Sequence, residues 1–267
     1  MSFSISGKTA IVTGAANGIG LAIALEFADQ GANVMMVDMD DKQLRKEAGN
    51  FPEDGNVRVF SGDLRERLTI ANLLSATIDA FDRVDILVNA SRQMLRTDPL
   101  DIKDDSISTM LDQNLLTPMR LSQAVAKRMI KQADEDGDEG SAGAIVNMSS
   151  ISACRTNPEL MGYSMATAAL DQMTRGLATA LAPHRIRVNA VAFGSVMSAS
   201  LKNTLKEFPS YREDIESHTP LGRIAPPREL ADTVRYLSSD ASGFMTGQVV
   251  TVDGGRTLID PVTSPAH

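Results

Sequence analysis

Scarcity narrows the reading of this 267-residue chain first. It has no tryptophan, three tyrosines and a single cysteine, Cys154. One thiol cannot close an internal disulfide, which excludes a disulfide-stapled scaffold and fits a reducing, cytoplasmic setting. The three histidines, His184, His218 and His267, stand far apart without ligand spacing, so no metal site is expected. No apolar run reaches the roughly 18 residues that a membrane span needs. The opening MSFSISGKTA lacks the charged start and apolar core of a secretory leader. Basic residues are the minority, 26 against 34 acidic, for a net charge of −8. A binder of polyanions would show a basic stripe, and the sequence has none. Neither nucleic acid nor a membrane is therefore an expected partner.

What is present is a hydrophobic fraction of 43%, dealt out in short runs. Residues 8–13 (KTAIVT), 33–37 (NVMMV), 57–60 (VRVF), 84–89 (VDILVN), 143–149, 186–192 and 248–252 read as strands. Their apolar residues run without alternation, the mark of strands covered on both faces. Between them, residues 18–30, 105–131, 162–181 and 227–238 carry helical spacing, with a kink expected at Pro118. The alternation predicts an α/β chain: a single-domain Rossmann fold over 1–267, its doubly wound parallel sheet of about seven strands flanked by helices on both faces. Residues 134–143 (DEDGDEGSAG) read as a solvated loop. Residues 194–220 lack a clean pattern, and their position between the last two strands makes them an expected substrate lid.

One turn carries the clearest chemistry. Thr13-Gly14-Ala15-Ala16-Asn17-Gly18-Ile19-Gly20 leaves the first strand and opens the first helix. Gly14 permits the tight turn, Gly18 lets backbone approach a pyrophosphate, and Gly20 lets helix and strand pack closely. The helix start then offers its N–H groups and positive dipole end to the phosphates. Asp38 ends the next strand, eighteen residues after Gly20. A carboxylate there accepts hydrogen bonds from ribose hydroxyls and repels a 2′-phosphate. No Arg or Lys occupies 15–17 or 39, so NAD(H) is the expected cofactor rather than NADP(H).

The spacing TGxxxGIG resembles the cofactor motif of the short-chain dehydrogenase/reductase family, and further landmarks follow in that family's order. Asp63-Leu64 resembles its adenine-holding pair, and Asn89-Ala90 the start of its NAG motif. Asn114 resembles its helix asparagine. Ser150 precedes Tyr163 by thirteen positions, as the family's serine and tyrosine do. Phe193-Gly194-Ser195-Val196-Met197-Ser198 sits at its PGxVxT, and Gly247-Gln248 with Asp253-Gly254-Gly255 at its C-terminal signature. The flavour is similar to 3-oxoacyl carrier-protein reductases. The resemblance implies hydride transfer between a nicotinamide and a secondary alcohol or ketone. Tyr163 would be the acid/base on the substrate oxygen, Ser150 would orient that oxygen, and Asn114 would hold a water in a proton relay. Gly194, Val196 and Ser198 would hold the carboxamide end of the cofactor. It also implies a homodimer or homotetramer, and the wide apolar faces of 105–131 and 162–181 would serve it.

The pattern breaks at three places. The family's YxxxK here reads Tyr163-Ser164-Met165-Ala166-Thr167, so Thr167 replaces the catalytic lysine. Residues four apart share a helix face. Thr167 is thus expected beside the nicotinamide ribose, with a hydroxyl but no charge to offer. NAG has become Asn89-Ala90-Ser91, followed by Arg92, and the proline of PG is Phe193. Arg92 and Arg155 are candidates to replace the lost charge or bind an anionic substrate, the alternative being arginines that simply face outward. A weakly active or inactive NAD-binding relative is the alternative. Met94, Met161, Met165 and Met197 are expected near the cleft, and Cys154 as a small packed residue.

Overall fold

The computed structural model describes residues 2–52, 54–137 and 139–260. His267, and Asp138 of the acidic stretch, lie outside them. Seven strands form one sheet in the order β3-β2-β1-β4-β5-β6-β7. They are β1 Thr9–Thr13, β2 Asn33–Asp38, β3 Val57–Ser61, β4 Ile86–Asn89, β5 Gly143–Ser150, β6 Ile186–Phe193 and β7 Val249–Val252. Every neighbouring pair is parallel. Strands β1, β4, β5 and β6 are buried at every position. Their side chains alternate between two cores. Val12, Val34, Val88 and Val191 face Ile23 and Phe27 of α1 (Gly18–Asp29) and Leu230 and Val234 of α9 (Pro227–Ser238). Ile11, Met35, Leu87 and Val188 face the other layer. That layer holds α3 (Arg67–Phe81), α5 (Thr117–Asp136) and α6 (Met161–Leu181). Continuous apolar runs follow from this two-sided covering.

Four stretches depart from the sequence reading, the first being α3, a helix of 15 residues where none was expected. The helix expected over 105–131 is broken into α4 (Ser106–Leu111), a π-helical turn over Asp112–Leu116, and α5. Pro118 lies in the first turn of α5, where a missing N–H is tolerated. It offers no donor to the preceding turn, which is π-helical and holds buried Asn114. The acidic stretch begins as helix: α5 runs through Asp136 and ends at Gly137, whose φ of 64° suits a left-handed cap. Residues 194–220 hold two regular helices, α7 (Ala199–Glu207) and α8 (Ser210–Ser217). A further short helix, α2 (Asp41–Ala48), buries only Leu44 and is capped by Asp40, which accepts from the Gln43 amide.

Polar groups tie the middle of the sheet to α5 and α6. Asn89 Nδ2 donates to Asn147 Oδ1 at 2.8 Å and to Ser122 Oγ at 3.0 Å. Asn147 Nδ2 in turn donates to Thr174 Oγ1 at 2.9 Å. Satisfied donors of this kind fix strand against helix where an apolar contact would let them slide.

Asp171 of α6 is one of several exceptions to good pairing, its Oδ1 buried without a hydrogen-bond partner among the described residues. Burial pushes its carboxyl above the usual carboxylate range, with the Ser149 hydroxyl and Arg175 opposing only in part. A carboxyl raised in the folded state contributes most below the unfolded value of about 4, and that stability is lost as pH rises through the folded value. Asp171→Asn should therefore be more stable than wild type in urea unfolding at neutral pH. The advantage should vanish as the pH approaches about 4. An advantage independent of pH would contradict the assignment.

Candidate active site

The C-terminal ends of β1, β2 and β4 meet at the glycine turn. Gly14 has a φ of +67°. A Cβ there would lie 2.8 Å from Ser91 Cα and 2.9 Å from the Ala90 carbonyl oxygen. A Cβ at Gly20 would strike the Gly14 carbonyl. Gly18 has a φ of +60°. The turn therefore packs where only glycine fits. Thr13 Oγ1 locks the same junction, accepting from the Ala90 and Ser91 amides at 2.9 and 3.0 Å. No side chain caps the start of α1, and no acid lies in its first turn. Its first amides remain turned toward whatever occupies the trough before them.

That trough, about 530 Å³, is lined by Gly14, Asn17, Gly18, Ile19, Gly20, Asp38, Ala90, Ser91 and Ser198 among the residues expected from sequence. Asp38 accepts from the Ala16 amide at 3.1 Å and the Asp40 amide at 3.2 Å, which fixes its carboxylate. The glycine cradle, uncapped helix start and acid at the end of β2 fit a dinucleotide. Three expected binders lie elsewhere. Asn89 is buried in the polar ladder, and Leu64 is buried in the α3 core. Asp63 is gripped by Arg65, which holds its carboxyl below the usual carboxylate range. Arg65 itself lines the trough, as do Met39, Gln93 and Gln113. Gln113 Nε2 donates to Ser91 Oγ at 3.2 Å.

A second cavity, about 720 Å³, opens beside the first. Ser150 at the end of β5, Tyr163 in the first turn of α6, Phe193 at the end of β6, and Gly194 and Val196 after it line it. Arg92, Met94 and Ser198 line both cavities, so the two share a wall. At that wall Arg92 Nη1 donates to the Tyr163 hydroxyl oxygen at 3.1 Å. Its guanidinium carbon lies 4.6 Å from the centre of the Phe193 ring. Cation–π contact of this kind offsets part of the desolvation of the guanidinium.

Asn114 and Thr167 are placed differently from expectation. Asn114 brackets Gln93, its Oδ1 accepting from the Gln93 amide at 2.9 Å and its Nδ2 donating to the Gln93 carbonyl at 2.8 Å. Thr167 is buried and lines neither cavity, and its hydroxyl lies 3.0 Å from the Tyr163 carbonyl and 3.1 Å from that of Ser164. A β-hydroxyl returned to its own helix is the usual fate of threonine within a helix. Of the four methionines expected near the cleft, Met94 alone lines these cavities. Cys154 is exposed, not packed. Arg155 is exposed and lines the second cavity. So do Ser195, His218 and Arg256, which sequence reasoning missed because only the fold brings them there.

A larger cavity, about 1050 Å³, lies at the opposite edge of the sheet, around Gly143 and Ile186 where β5 and β6 begin. Ligands of open α/β sheets bind at the carboxyl ends of strands. The chemistry is accordingly assigned to the paired cavities beside the glycine turn.

Known proteins share this layout. The family model described as Enoyl-(Acyl carrier protein) reductase matches residues 14–257. The 3-oxoacyl-(acyl-carrier-protein) reductase FabG of Thermotoga maritima is 34% identical over 257 residues, covering 95% of this chain and 99% of its own. Glucose 1-dehydrogenase of Gluconobacter oxydans is 30% identical over 255 residues, covering 95% and 93%. A solved 7α-hydroxysteroid dehydrogenase, complexed with NADH and 7-oxo glycochenodeoxycholic acid, superposes with a TM-score of 0.86 at 28% identity, over 95% and 96% of the two chains. With a family match across most of its length and relatives aligned end to end, this chain belongs to the short-chain dehydrogenase/reductase family of oxidoreductases.

Proposed function

We propose that the protein is an NAD(H)-dependent oxidoreductase that interconverts a secondary alcohol and a ketone, with Arg92 supplying the cation that the family's lysine supplies elsewhere. The contact between Arg92 and the Tyr163 hydroxyl, at the wall common to both cavities, carries this reading. The dinucleotide, when bound in the trough, supplies or accepts the hydride. Tyr163 gives the proton to the substrate oxygen in reduction and removes it in oxidation. Ser150 hydrogen-bonds and orients that oxygen. The Arg92 guanidinium stabilises negative charge as it develops on the phenolic oxygen, a charge-assisted contact in a half-buried setting. Asn114 is a positioning residue: by bracketing Gln93 it holds the segment that presents Arg92. Thr167 is the structural remnant of the lysine position.

Asp38 supports NAD(H) over its phosphorylated form. Its carboxylate lines the trough where a 2′-phosphate would sit. Of the two arginines that line the trough, Arg65 is held in a two-pronged pair by Asp63 and Arg92 is engaged with Tyr163. Gly194, Val196 and Ser198 hold the nicotinamide end, and α7 and α8 act as the lid, with Leu201 and Asp214 facing the second cavity. A cytoplasmic homodimer or homotetramer belongs to the same reading, supported by the apolar hollow of Ala126, Ile130, Leu177 and Leu181 on α5 and α6. One observation favours a second reading, a dinucleotide-binding protein without turnover: the Thr167 hydroxyl is turned to its own helix.

Steady-state kinetics with NADH and a carbonyl panel separate the two. Tyr163→Phe should lower kcat by about 10²–10⁴-fold, the range of general acid–base help. Arg92→Leu should lower kcat by about tenfold or more, and Arg92→Lys should recover part of the loss. Turnover that survives Tyr163→Phe would remove the proposal, and NADH binding without turnover, rescued by Thr167→Lys, would favour the second reading. For the cofactor, Asp38→Asn should shift the preference toward NADPH by about tenfold or more, 1.4 kcal/mol per decade. An unchanged ratio would refute the role given to Asp38.

A further inference from the structure

The second cavity carries a charge opposite to that of the chain. Arg92, Arg155 and Arg256 line it, against one carboxylate, Asp214. The whole chain has a net charge of −8. Asp214 already faces His218, whose Nδ1 lies 3.3 Å from its Oδ1. Arg92 is engaged with Tyr163 and Phe193.

The other two arginines form no ion pair among the described residues. Arg155 follows the Ser150 strand, and among the described residues no carboxylate lies within ion-pair distance of it. Arg256 donates Nη1 to Ser195 Oγ at 2.9 Å and likewise forms no ion pair among the described residues. The neighbouring Asp253 attracts Arg256 electrostatically but makes no ion pair with it. Its two oxygens accept from the Gly255 and Thr257 amides at 2.9 and 2.7 Å. Two guanidinium groups at a cavity wall, without carboxylate partners, present planar forks suited to an oxyanion. In a concave, partly desolvated site their field is stronger than on an open surface.

We propose that the substrate carries a carboxylate, gripped by Arg155 and Arg256 while its alcohol or ketone carbon lies against Tyr163 and Ser150. This rests on the oxidoreductase reading above and adds the substrate class to it.

The test pairs each acid with its uncharged twin. Pyruvate and levulinate are compared with their methyl esters, using NADH, in wild type, Arg155→Gln, Arg256→Gln and the double variant. Levulinate binding is measured separately by calorimetry. Wild type should prefer the acids by about tenfold or more in kcat/KM, mostly through KM, since charged hydrogen bonds are worth roughly a decade or two. The acid-to-ester ratio should fall in each single variant and approach one in the double. Acids and esters turned over equally by wild type would overturn the proposal while leaving the oxidoreductase reading intact. Levulinate binding that needs both arginines, with no turnover of any compound, would support the anion site and sink the reaction assigned to it. The absence of both levulinate binding and acid preference would end the proposal.

Discussion

The close approach of the glycine turn to the end of β4 governs the rest of this site. Gly14 lies so near Ser91 and Ala90 that any side chain would force them apart, and Thr13 fastens the same two amides. This one junction sets both the floor of the trough and the start of the segment that follows β4. A second clamp, Asn114 on Gln93, fixes the segment from the other side. Arg92 lies between the two clamps, and its guanidinium reaches Tyr163 across 71 positions of sequence. A flexible side chain is thereby given one address, which limits the rotamer entropy lost on making the contact.

On the proposed reading, the three departures from the family pattern form one arrangement. A buried threonine removes a cation from beneath the tyrosine. An arginine enters from the opposite wall. Phe193, where the family has proline, gives that arginine an aromatic face to lie against. The exchange is not neutral chemically. Arginine does not deprotonate in proteins, so it stabilises charge without relaying protons as a lysine can. On that reading the proton path closes through Tyr163, Ser150 and solvent.

Much of the fold was legible because its signals are local. Apolar runs located all seven strands to within two residues, and the turn from Thr13 to Gly20 located the trough. The missed helices show the limit. α2 is polar and buries one leucine, so it has almost no apolar stripe to read. The π turn arises from Pro118 acting on the turn before it, an effect that periodicity does not encode. The candidate site was legible where motif residues stand at turns or strand ends, as do Gly14, Asp38 and Ser150, which line the two cavities. It was illegible where a role depends on contacts distant in sequence. Nothing near Asn114 marks its grip on Gln93, and nothing near Arg256 marks its place beside Ser195. Thr167 was misjudged for a different reason: helical spacing gives the face a residue occupies but not the rotamer its hydroxyl adopts.

The exposed position of Cys154 has a practical side. It is the chain's one thiol, and it stands between Ser152 and Arg155, both of which face the second cavity. An environment-sensitive fluorophore coupled there would attach at a single rim site without any background cysteine to remove. Filling of the cavity would then become visible as a change in emission, in a protein with no tryptophan of its own to report it.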